Sequence, residues 1–104
     1  MHSKILNFTQ DIEFSKDGIV SKRILEKTTG NVSLFAFDKD QRLSEHSAPF
    51  DALIQVLEGK AEITINKQPF HLSAGESIIM PANIPHAVFA TEQFKMLLTM
   101  IKGS

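Results

Sequence analysis

The run His46-Ser47-Ala48-Pro49-Phe50-Asp51-Ala52-Leu53-Ile54-Gln55-Val56-Leu57-Glu58-Gly59 is answered downstream by Gly75-Glu76-Ser77-Ile78-Ile79-Met80-Pro81-Ala82-Asn83-Ile84-Pro85-His86. Each holds one histidine beside an apolar stretch bounded by proline or glycine. Pro49 has no N–H for a ladder, so the chain bends between the first histidine and the run from Ala52 to Glu58, which Gly59 ends. Lys60 to Ile65 alternates, with Ala61, Ile63 and Ile65 inward and Lys60, Glu62 and Thr64 outward, as a half-buried antiparallel strand does. Asn66-Lys67 turns the chain, although the glycine usual in such a turn is missing. Phe70 and Leu72 are the inward residues of the return strand, and Ser73 to Glu76 turns it again. Ser77 to Met80 is a short strand, Pro81 to Pro85 a bend, and His86 to Ala90 another strand. Phe94 to Ile101 is apolar at almost every position, the pattern of a strand buried on both faces.

Upstream, Ile5 to Phe14 has no helical stripe and reads as an extended arm, closed by the turn signal Lys16-Asp17-Gly18. Ile19 to Glu26 pairs as a hairpin with Val32 to Phe37 across Lys27 to Asn31. In the second of these strands Val32, Leu34 and Ala36 point one way and Ser33, Phe35 and Phe37 the other, so both faces carry bulk. Asp38 to Gln41 is a charged loop, and Leu43 to Ala48 resumes an extended course. Eight or nine short strands with close turns and no amphipathic helix predict an all-β sandwich or barrel.

With 104 residues the chain suffices for one domain and one site. A net charge of -1 with scattered charges offers no basic stripe for nucleic acid and no polybasic face for anionic lipid. No apolar run approaches the roughly 20 residues of a spanning helix, and the first ten residues lack a signal-peptide core, so the expected location is cytoplasmic. Cysteine is absent, which leaves His, Asp and Glu as metal donors. Tryptophan and tyrosine are absent too, whereas phenylalanine occurs eight times, so a pocket here is expected to be apolar.

The two quoted runs resemble the two motifs of the cupin superfamily. The first motif is usually His-x-His, three or four residues, Glu, then six residues to Gly; the second is Gly, five residues, Pro-x-Gly, two residues, His. Val56-Leu57-Glu58-Gly59, Gly75, Pro81 and His86 stand at matching offsets. The resemblance implies an antiparallel jelly-roll barrel over residues 30–101, preceded by an arm and strands in 1–29, and a homodimer. It also marks departures. Placed by Gly59, the first motif has His46 as the first ligand, Ala48 at the second histidine and Ala52 at the glutamate. Asn83 stands where glycine is common, and Asp40 at the motif's opening glycine. Asparagine is among the residues most willing to adopt the left-handed conformation.

The resemblance brings His46 and His86 together inside the barrel. A Mn, Fe, Ni or Zn ion needs about three protein ligands, and the motif supplies two. Asp51 is the nearby acid for a third, although its one-residue offset sends it to the other face unless the Pro49-Phe50 bend turns it back. The other reading is a metal-free imidazole pair. Desolvation in an apolar interior would lower the pKa of both rings. Phe50 is expected at the mouth, while Phe35, Phe37, Met80, Phe89 and Met96 line a cavity or fill the core. His71 is expected outward, His2 incidental, and Glu58 a structural partner for a cation. Two functions follow. One is a binding module holding a small organic ligand between His46, His86 and Phe50; the other is a metal-dependent dioxygenase or isomerase. A third, an assembly or sensor domain, is weaker. Apolar residues on both faces of Leu53 to Leu57 and of Phe94 to Ile101 point independently to a homodimer.

Overall fold

A computed structural model describes residues 3–103. Its seven strands are β1 (Ile19–Lys27), β2 (Gly30–Phe37), β3 (Arg42–His46), β4 (Asp51–Ile65), β5 (Gln68–Ser73), β6 (Ser77–Met80) and β7 (His86–Ile101), all paired antiparallel. There is no helix among the described residues, and none that is long and apolar enough to cross a membrane. The strand count is lower than expected because Gly59 does not end its run. With φ at +81° it forms part of a double irregularity, between Val56 and Glu58 and between Gly59 and Ala61, that bends β4 and lets it continue. In the same way His86 to Ala90 and Phe94 to Ile101 are two arms of the one strand β7.

These two long bent strands divide the sheet into halves. The first half of β4 and the second half of β7 belong to a five-stranded layer ordered β1-β2-β7-β4-β6. The other arms lie between β3 and β5 in a four-stranded layer ordered β3-β7-β4-β5. The result is the expected all-β jelly roll. Ile54, Val56, Ile63, Phe37, Phe94 and Met96 fill the space between the layers, with Phe37 stacked on Phe94 at 4.6 Å.

The opposite face of β2 has its own cover. Leu34 and Ala36 pack with Leu57 and Leu97 under Phe8, Ile12 and Phe14 of the N-terminal arm, so part of the excess apolar surface is buried within one chain. The arm turns at Phe8 to Gln10, where the Asp11 carboxylate accepts the Asn7 N–H and the Asn7 carbonyl accepts the N–H groups of Gln10 and Asp11, and is tied down by Lys95. The turn at Asn66 and Lys67 has both residues at positive φ, +50° and +69°, the geometry that joins strands in a two-residue hairpin. Asn83 and Asp40, which stand at family glycine positions, also have positive φ, +65° and +71°.

Candidate functional site

His46 ends β3 and His86 begins β7, and the two are register partners. The pairing sets their rings edge to face with Nε2 atoms 3.1 Å apart. Each ring is held from behind. His46 Nδ1 lies 2.7 Å from the Ser44 carbonyl oxygen and His86 Nδ1 lies 3.2 Å from that of Ile84. A carbonyl only accepts, so each Nδ1 carries the hydrogen and each Nε2 turns a lone pair toward the other. Two bare lone pairs at this distance repel unless a proton lies between them or a donor group of a ligand bridges both nitrogens from the side.

The two rings differ in environment. His86 is 7 % exposed, and burial pushes its pKa below the ordinary imidazole value, helped by the neighbouring His46 and opposed by the Ile84 carbonyl. His46 is exposed, so the burial expected for both holds for His86 alone.

Beneath the pair lies a cavity of about 120 Å³. Ala48, Phe50, Ala52, Met80, Met96 and Met100 line it with the two histidines, and no carboxylate does. Phe50 stands at the cavity as expected, with the Lys102 ammonium 5.8 Å from its ring centre. Of the other candidates, Met80 and Met96 reach the cavity, Phe35 and Phe37 belong to the core, and Phe89 lies under the Arg42 guanidinium at 4.8 Å. Leu43 and Met100 were not foreseen as lining residues. The inward alternation Met96, Leu98, Met100 was the available signal.

Asp51 is not brought to the histidines. It is exposed, register-paired with Ile101 on the face turned away from the cavity, and its Oδ1 accepts the Ala82 N–H at 2.8 Å. The one-residue offset from Ala52 decides this, and the Pro49-Phe50 bend does not reverse it. Among the described residues no three His, Cys, Asp or Glu side chains converge. Two neutral imidazoles with alanines where further ligands would stand do not fit a divalent centre that needs three or more protein donors. His71 lies on the surface, 3.2 Å from Glu62, and Glu58 pairs with Lys95 at 3.5 Å. His2 lies outside the described residues.

A cupin domain model matches residues 33–102. The chain is a cupin. Among solved structures, it is similar to a conserved protein of unknown function from Streptococcus pyogenes, at 38% identity over 100% of this chain and 91% of that one, with a TM-score of 0.93. A cupin 2 conserved barrel domain protein from Leptotrichia buccalis is 41% identical over 93% of this cupin, which spans only 47% of that chain, with a TM-score of 0.90. KdgF from Halomonas sp. shares the fold, with a TM-score of 0.78 and 20% identity over 98% of this chain and 96% of that one. No curated protein matches the sequence.

Proposed function

We propose that this cupin is a binding module for a compact organic molecule, seated in the cavity beneath His46 and His86 and held without a metal centre. The observation that carries this reading is the lining itself: apolar side chains throughout, two imidazoles at one end and no carboxylate. Size narrows the ligand. A cavity of about 120 Å³ is well below the roughly 300–1,000 Å³ that holds a drug-sized molecule and close to the roughly 150 Å³ that takes benzene. The chemistry of the pair narrows it further, because two converging Nε2 lone pairs accept a hydrogen. The ligand is therefore one ring or a short branched chain bearing a hydroxyl or carboxyl group.

Phenol and benzene make the test. In ¹H–¹⁵N NMR titration, phenol is expected to shift the amides of Ala48, Ala52 and His86 at lower concentration than benzene does, and His86→Phe is expected to erase the difference. Elemental analysis of protein purified without chelator accompanies it. No response to either probe or to short-chain carboxylic acids, with one equivalent of Mn, Fe, Ni or Zn in the purified protein, would sink the reading in favour of the metal-dependent enzyme.

A further inference from the structure

The bends in β4 and β7 turn the two arms of each strand toward one another across the core. The cavity draws its lining from both arms of β7: His86 and Val88 from the first, Met96, Leu98 and Met100 from the second. In the second arm the lining residues alternate, so the next side chain of that inward row is Lys102, one residue past the strand's last, Ile101. Its backbone is fixed, because the Lys102 N–H donates to the Thr29 carbonyl at 2.7 Å. Its ammonium stands 5.8 Å from the centre of the Phe50 ring, which itself lines the cavity, within the reach of a cation held over an aromatic face. A cation therefore stands at the edge of an apolar cavity whose polar lining side chains are the two imidazoles. The carboxylates nearest in the chain are engaged elsewhere: Asp51 accepts the Ala82 N–H on the face turned away, and Glu45 pairs with Lys67 at 3.3 Å.

The imidazoles and the ammonium ask for different groups. Both Nε2 atoms present lone pairs, so the pair takes a hydrogen-bond donor. A carboxyl group loses its proton at about pH 4 and at neutral pH has only acceptors, which suits it to an ammonium and not to the imidazoles. A hydroxyl keeps its hydrogen and can bridge the two nitrogens. We propose that the ligand of this cavity is a small hydroxycarboxylate, its hydroxyl at the Nε2 atoms of His46 and His86 and its carboxylate at Lys102, which sets the preference for an anion. The assignment rests on the reading of the cavity as an organic-ligand site and narrows the class of ligand.

The test compares 3-hydroxybenzoate, 4-hydroxybenzoate and 4-hydroxybutyrate each with its own uncharged amide, beside phenol, by NMR titration. At least one acid is expected to bind about fivefold or more tighter than its amide. Lys102→Met keeps the aliphatic stem against Phe50 and is expected to bring acid and amide to within about twofold, whereas Lys102→Arg retains the preference. Lys39→Met removes the same charge from the loop beside Gly59 and is expected to retain it as well. Phenol binding with no acid tighter than its amide overturns the hydroxycarboxylate and leaves the organic-ligand site standing. A preference that survives Lys102→Met, or is lost equally in Lys39→Met, overturns the role of Lys102. No binding by phenol, acids or amides overturns both readings.

Discussion

Gly59 and Gly75 both have positive φ, +81° and +91°, yet their surroundings differ. A Cβ on Gly59 would stand 1.9 Å from the Gln93 carbonyl oxygen and 2.8 Å from the Phe94 Cα, whereas one on Gly75 would meet nothing within 4 Å. Gly59→Ala therefore combines backbone strain with a clash against the neighbouring strand, and is expected to cost about 3 kcal/mol or more in urea unfolding. Gly75→Ala carries the strain alone and should cost about 1–2 kcal/mol. Equal effects would refute the distinction. His86 yields a second expectation. Its folded pKa is depressed, so the unfolded chain binds the proton more readily. Stability is then full above the unfolded imidazole value of about 6.5 and declines as pH falls from there toward the lower folded value. His86→Phe should flatten that part of the profile, measured as urea midpoint against pH; an unchanged slope would place its source elsewhere.

Among the elements, the N-terminal arm shows most clearly what patterning conveys and what it does not. Both faces of Val32 to Phe37 were legible as apolar from alternation alone, but a strand does not announce what covers it. The cover depends on Lys95, which is 8 % exposed and lies among Phe94, Met96 and Leu97 in a run that is otherwise apolar at almost every position. Its ammonium donates to the Thr9 carbonyl, pairs with Glu58 and sits 5.0 Å above the Phe14 ring. One cation thus ties the arm to the β4 irregularity. Lys95→Met keeps the aliphatic stem but leaves the Thr9 carbonyl without its donor and Glu58 without its partner. It should lower stability by about 1–3 kcal/mol and speed proteolytic cutting between Asn7 and Phe14. If cleavage were unchanged, the arm would be held by its apolar residues alone.

At the scale of the whole molecule, the site lies where strands of both layers converge: β3 and the start of β7 bring the histidines, and β4, β6 and the end of β7 bring the cavity walls. That convergence was legible through the resemblance of the runs ending at Gly59 and His86 to the two cupin motifs, and Asp40 and Asn83 keep a left-handed backbone at positions where the family has glycine. The bends in β4 and β7 were not, since a glycine or polar residue that ends a strand looks the same in sequence as one that kinks it. Ala48 and Ala52 allow the placing of the site to be tested. Both line the cavity with His46 and His86, so Ala48→His with Ala52→Glu should add an imidazole and a carboxylate to the same space. Affinity for a divalent ion such as Mn or Zn is expected to rise by about 3 kcal/mol or more, roughly a hundredfold, less the strain of larger side chains in a packed interior. The same side chains occupy the cavity, so the phenol response of the parent should disappear as metal binding appears. Asp51→Asn is the control, and because Asp51 faces away from the pair it should leave metal affinity unchanged in both backgrounds. A folded double variant that gains no affinity would show that Ala48 and Ala52 do not face the imidazoles as placed, and a loss of metal on Asp51→Asn would return that carboxylate to the site.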